Sequence, residues 1–231
     1  MVIPVFWGVK SFKGFFQKYY ELITNKTLSL LLFSIVIIAI GCIQLFYWKT
    51  ITGKWLFYSY DNAGEGFNFL SPYLKDFLFS YRKGWYLYTP IMLLATIGLF
   101  FTVFKKYKFG ISLLLFVVLN VWVLSSWSCW WYAGSYSQRS VVQSYPEMAI
   151  ALGALLTYTY DRIWLRRISH VLVVAMIFLN LFQTWQFDER IIDGSRMTKE
   201  YYWTVFGKTA VPDGADKLLM INRPSVQKTK P

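Results

Sequence analysis

The chain has 231 residues, of which 56% are hydrophobic, 21% aromatic and 16% charged, with a mean hydropathy of +0.38. Water-soluble domains carry about 25% charged residues, so this balance argues against a disordered chain, a disulfide scaffold and an ordinary soluble enzyme. The formal net charge of +12 fits a nucleic-acid binder only if the cations share one face, and their placement along this chain follows another rule.

The chain opens with MVIPVFWGV, apolar and aromatic, followed by the basic stretch KSFKGFFQK. Such a short run cannot cross a bilayer. It reads as the cytoplasmic end of a membrane helix cut short, so that the chain is the carboxyl-terminal part of a longer protein lacking its earlier helices. The alternative is an interfacial amphipathic helix over residues 3–24. On either reading residues 1–27 form a cytoplasmic or interfacial segment.

Long charge-poor blocks follow, bracketed by Lys26 and Lys49, Lys83 and Lys105, Lys108 and Arg139, Arg139 and Asp161, and Arg167 and Asp188. A helix needs about 20 apolar residues to cross a hydrocarbon core of about 30 Å. The blocks predict an all-α bundle over residues 28–185, with spans near 28–47, 86–104, 110–127, 142–159 and 168–185. Lys and Arg crowd the segment before the first span and the short connections at Lys105–Lys108 and Arg162–Arg167. By the positive-inside rule these ends face the cytoplasm, giving a multi-pass protein of the cytoplasmic (inner) membrane, N-in and C-out. The cations are thus explained by topology, and no nucleic-acid partner is expected.

Outward lie the loops at 48–85 and 127–141 and a mixed-charge polar tail at 186–231. The first loop is too long for a simple connection and too apolar for disorder. Gly64 and Gly66 around Glu65 mark a turn, Tyr73 to Ser80 suits a short interfacial helix, and Asp61 and Glu65 are weak candidates for acid or base work. Arg82 and Lys83 close this loop at an outward mouth, against the usual charge bias. The second loop, SSWSCWWYAGSYSQR, crowds Trp127, Trp130, Trp131 and Tyr132 beside Gly134 and ends in Gln138-Arg139. An aromatic belt accounts for the rings by location alone. Flat rings beside a guanidinium also suit a phosphorylated lipid–sugar, since Arg meets phosphate in bidentate fashion. Glu147 follows Tyr145-Pro146, so a helix starting there leaves the carboxylate in its first turn. In the tail, Met197 to Phe206 reads as a short amphipathic helix.

Two cysteines, Cys42 in the first predicted span and Cys129 at the outer mouth of the third, give no disulfide framework and are read as unpaired and buried. With one His and two distant Cys no metal site is expected, and no Gly-rich phosphate loop points to a nucleotide or other cofactor.

The strings GEGFNFLSPYLKDFLFSYRKGWYLYTPIM, SWSCWWYAGSYSQRS and YPEMAIAL resemble the carboxyl-terminal half of bacterial membrane glycosyltransferases of the GT-C type, which are similar to dolichyl-phosphate-mannose–protein mannosyltransferases. The likeness covers most of residues 45–205. It implies transfer of a sugar from a polyprenyl-phosphate donor to an acceptor outside the cytoplasmic membrane. In that family the essential carboxylate lies in the first outward loop of the whole protein, so Asp61 and Glu65 do not inherit the role by position and the catalytic residue is expected outside this chain. Arg82, Lys83, Gln138 and Arg139 match the donor-binding surface of that family; read from the residues themselves, Trp130, Trp131 and Tyr132 hold sugar or isoprene, and Glu147 either salt-bridges Arg139 or Arg82 or contacts substrate. Membrane lipids are the remaining partners expected. Two other classes stay open: a non-catalytic integral membrane subunit, and a lipid or solute transporter, which the scarcity of polar residues at mid-span disfavours.

Overall fold

The computed structural model describes residue 9 and residues 11–57 and 65–221, and these are all-helical apart from one isolated bridge between Phe67 and Trp127. They fall into two compact units.

The first unit takes in the described residues up to Glu65 together with residues 102–116. Helix α1 (Phe12–Asn25) starts where the Ser11 hydroxyl accepts the Gly14 N–H at 3.1 Å, a side-chain cap for an orphan donor. It is amphipathic, and Phe15 and Leu22 pack with Val9, Val103, Ile111 and Leu115. Residues 1–8, and so most of the apolar opening run, lie outside the described residues. Helix α2 (Thr27–Thr52) is apolar on every side and buries no residue. A helix apolar all round is one that a larger protein core or a membrane buries. It stops at Gly53, whose φ of 73° lets its N–H close onto the Lys49 carbonyl.

The second unit comprises residues 66–101 and 117–221 among those described. Short helix α3 (Leu74–Phe79) lies in the long loop, and short helix α4 (Trp85–Tyr88) takes the start of the block predicted as the span 86–104. Helix α5 (Ile91–Phe104, 14 residues) begins after the Thr89-Pro90 break, which residues before proline favour by leaving helical geometry. Helix α6 (Gly110–Ser125, 16 residues) leads into the aromatic loop. A 3-10 turn over Arg139–Ser144 feeds α7 (Tyr145–Tyr160, 16 residues), with Pro146 in its first turn. Helix α8 (Ile163–Asp188) has 26 residues. A short helix α9 (Lys199–Val205) and a 3-10 turn at Ala215–Leu218 complete the tail.

Among the described residues two helices, α2 and α8, are long and apolar enough to cross a membrane. The predicted spans 86–104, 110–127 and 142–159 correspond to shorter helices. Helix α5 meets α7 through Gly98: a Cβ there would strike the Ala151 carbonyl. Small residues of this kind let helix backbones approach where lipid gives no hydrophobic drive. The cysteines are unpaired as expected but only partly buried.

The tail is far less polar than its charge count implied. Ile191, Ile192, Met197, Tyr201, Tyr202, Val205 and Ala215 form a core with Tyr88. Polar side chains at the end of α8 hold it: Gln183 Nε2 donates to the Tyr202 hydroxyl at 2.8 Å, and Gln186 Nε2 to the carbonyls of Val205 (2.9 Å) and Lys208 (2.7 Å).

Candidate functional site

The site lies within the second unit, where the aromatic loop, the turn before α4 and the segment after α8 converge. The loop between Ser125 and Arg139 carries three non-glycine residues in left-handed geometry, Tyr132 (φ 48°), Ala133 (φ 58°) and Ser137 (φ 48°). Such conformations persist only where the surroundings impose them. Here the Tyr132 hydroxyl donates to the Leu124 carbonyl (2.8 Å), the Tyr136 hydroxyl to the Tyr88 carbonyl (2.7 Å), and the Ser135 N–H to the Gly194 carbonyl (3.3 Å). A Cβ on Gly194 would come within 3.2 Å of Gly134, so the two turns touch through bare backbone.

Lys83 is the centre of the arrangement. It is 1% exposed, and its Nζ meets both the carbonyl and the hydroxyl of Ser135, the latter at 2.8 Å. Burial lowers its pKa to about 7, helped by the positive charges of Arg139 and Arg82, while Asp193 pulls weakly the other way. Desolvation disfavours an ammonium and like charges add to the effect. Arg82 donates from Nε to the Ser195 carbonyl at 2.7 Å and lies over the Trp131 ring, 3.6 Å from its centroid. A guanidinium stacked this way gains from the ring's negative face. Arg139, at the start of the 3-10 turn, is exposed.

Asp193 forms the far wall. Its carboxylate accepts the N–H groups of Ser195 (2.8 Å) and Arg196 (2.7 Å) and the Arg196 guanidinium (2.9 Å). Burial pushes Asp193 up, but these hydrogen bonds outweigh it and hold the carboxyl below its ordinary range. An open cleft of about 680 Å³ runs along this side, lined by Gly134, Asp193, Gly194, Arg196, Tyr201 and Asp216 among others.

Several buried polar atoms here have no hydrogen-bond partner: both side-chain atoms of Gln138, Ser140 Oγ, Glu147 Oε2 and Trp85 Nε1. Gln138 is fully buried. Unpaired buried groups are costly, and such a set next to Lys83 and Arg139 in sequence is a store of unmet hydrogen-bonding capacity.

The sequence-predicted residues are therefore sorted. Arg82, Lys83, Arg139 and Trp131 come together. Trp130 is buried and meets Trp131 edge-on at 5.9 Å. The Tyr132 hydroxyl is committed to backbone, and burial pushes its pKa up to about 12, so Trp130 and Tyr132 shape the loop while Trp131 carries the stacked guanidinium. Glu147 sits in the first turn of α7, as the Pro146 signal implied. Glu65 is half-buried and belongs to the first unit. Asp61 and Gly64 lie outside the described residues. Sequence reasoning missed Ser135, Asp193, Ser195 and Arg196. The signal for the last three was Asp193-Gly194-Ser195, a turn signature in which the Asp side chain bonds backbone two residues on.

No protein-family model, curated protein or solved structure matches the chain significantly. The described residues define an all-helical fold with two helices long and apolar enough to cross a membrane and a cationic cluster centred on a buried lysine.

Proposed function

We propose that the protein is a membrane glycosyltransferase of the GT-C type, or the carboxyl-terminal part of one, that uses a polyprenyl-phosphate sugar donor on the outer face of the cytoplasmic membrane. On this reading α2, α5, α6, α7 and α8 all cross the bilayer, N-in and C-out. The observation that carries it is the meeting of Arg82, Lys83 and Arg139 beside Trp131. Fixed cations in a partly dry site are what a departing phosphate requires, because its negative charge grows as the sugar–oxygen bond breaks. Trp131, with Arg82 over one face, would offer its other face to a sugar ring or the first isoprene unit. A carboxylate that deprotonates the acceptor hydroxyl completes the chemistry, and on the family resemblance it is supplied from outside this chain.

Transfer from a short-chain polyprenyl-phosphate sugar, measured with the full-length protein in nanodiscs, tests the reading. Arg139→Ala should lower the rate by about 100-fold or more with insertion unchanged, as loss of a group that stabilises transition-state charge does. Arg139→Lys should recover only part, because an ammonium lacks the planar fork. Full activity in Arg139→Ala overturns the proposal.

A further inference from the structure

A second concavity lies at the other end of α8, where the chain turns back from α7. The two helices pack along each other there and are pinned by a hydrogen bond between the Thr159 and Ser169 hydroxyls at 3.1 Å. The joint carries a groove of about 310 Å³ lined by Leu156, Thr157, Tyr160, Asp161 and His170. Its charges are unmatched. Asp161 is followed by Arg162, Arg166 and Arg167, yet its carboxylate makes no ion pair or hydrogen bond among the described residues, and none of the three guanidiniums has a hydrogen-bonded acceptor there. Arg166 lies over the Tyr160 ring, 4.9 Å from its centroid, and Arg167 over Trp164 at 5.6 Å. A guanidinium stacked on a ring uses its face and keeps its N–H edge for an acceptor. His170 is fixed from behind. Its Nδ1 lies 2.6 Å from the Arg166 carbonyl. A carbonyl only accepts, so Nδ1 carries the proton, and Nε2 of the uncharged ring is an acceptor.

The surface then changes character. Val174, Ile177 and Phe178 stand on the same face of α8 as His170, one to two turns further on, and all three are exposed. A polar notch at the head of an apolar stripe, on a helix long enough to cross a membrane, has the division of a phospholipid. We propose that this groove is the headgroup site of an ethanolamine phospholipid. The ammonium donates to Asp161 and to His170 Nε2, the phosphate meets the arginines, and the acyl chains run along the face of Val174 and Phe178. The inference rests on the bilayer placement of α7 and α8 in the reading above and not on the donor site. The lining selects this head. A primary ammonium has three N–H donors, whereas a choline ammonium has none. A glycerol head brings the phosphate without a cation and leaves Asp161 unmatched beside an anion. Free phosphoethanolamine shares the head chemistry but gains nothing from the apolar stripe.

Competition between lipids tests it. The full chain in detergent at pH 8 is offered equal amounts of palmitoyl-oleoyl phosphatidylethanolamine, phosphatidylcholine and phosphatidylglycerol, and bound lipid is measured by native mass spectrometry. The ethanolamine lipid should be retained over each of the others by about tenfold, the worth of one hydrogen bond to a charged group. Retention should also fall stepwise from the primary amine through its N-methyl and N,N-dimethyl forms to choline, an arm that needs no variant. Asp161→Asn should bring the preference close to unity, and His170→Phe should lower it by about threefold, as loss of a neutral acceptor does. Arg162→Gln should weaken the ethanolamine and glycerol lipids alike and leave their ratio unchanged. Soluble glycerophosphoethanolamine at the same concentration should not displace the lipid, and displacement overturns the lipid assignment in favour of the free head. Equal retention of the three lipids, or a preference that persists in Asp161→Asn, overturns the inference and leaves the donor site standing. Full transfer activity in Arg139→Ala overturns the donor site alone.

Discussion

Lys83 is a cost to the fold at neutral pH. Its folded pKa of about 7 lies below the model value of 10.5, so between those values the unfolded chain holds one proton more than the folded one. Stability therefore rises with pH across that window and is flat below it. The full shift corresponds to roughly 5 kcal/mol at 1.36 kcal/mol per unit. Lys83→Met should accordingly raise the unfolding midpoint of the protein in detergent at pH 7, and the gain should shrink as pH approaches 10. Equilibrium unfolding from pH 6 to 10 checks this, and a variant less stable than wild type at pH 7 contradicts it. At this scale the sequence was half-legible. The outward position of Arg82 and Lys83 stood out because it opposed the usual charge bias. That Lys83 is buried depends on Ser135, which is distant in sequence and silent in composition. Trp130, Trp131 and Tyr132 looked equivalent as an aromatic run, and only backbone geometry separates the one ring that carries Arg82 from the two that build the loop.

Between elements, the approach of α5 to α7 rests on the missing side chain at Gly98. Adding a methyl group there meets main chain, which cannot swing aside. Gly98→Ala should destabilise the second unit by about 1–3 kcal/mol, the usual cost of overpacking. Gly153→Ala is the control, since nothing lies within 4 Å of a Cβ at that position, and alanine is the better helix former. Thermal unfolding of the two variants should move in opposite directions. Element positions followed from the charge-free blocks, although α2 runs on through Lys49 and α8 takes in Arg166 and Arg167. What those blocks hid was their internal punctuation. Thr89-Pro90 divides the block after Lys83 into α4 and α5, and α8 runs on to Asp188 because Gln183 and Gln186 find partners in the tail. In the tail the expected amphipathic helix is present as α9, but the core it belongs to was hidden, since its apolar residues are spaced among charges and bury against Tyr88 and the end of α8.

For the whole molecule, the five-span proposal places Lys106 and Arg162 on one side of the membrane and Glu189 and Lys217 on the other, and all four are exposed. Single cysteines there, in a background lacking Cys42 and Cys129, should label with an impermeant maleimide in intact cells at positions 189 and 217 only. Labelling at position 106 from outside defeats the proposed topology. The alternation of basic connections is a whole-chain pattern and was legible at once. The convergence of three separate segments on one site was not, because no local feature of the sequence encodes it.

That convergence sets an order of events. Arg82 is oriented by a carbonyl 113 residues further along the chain, and Ser135 is braced by Gly194 across about half that separation. Contacts this distant in sequence close late. While the chain is being made, the segments bearing Arg82, Lys83 and Arg139 emerge well before the turn that holds them. During that interval the cations have no wall behind them and the lysine is free to stay wet and charged. The cationic cluster comes into being only when this later-made turn folds back, so a chain interrupted before it holds its helices but not the cluster.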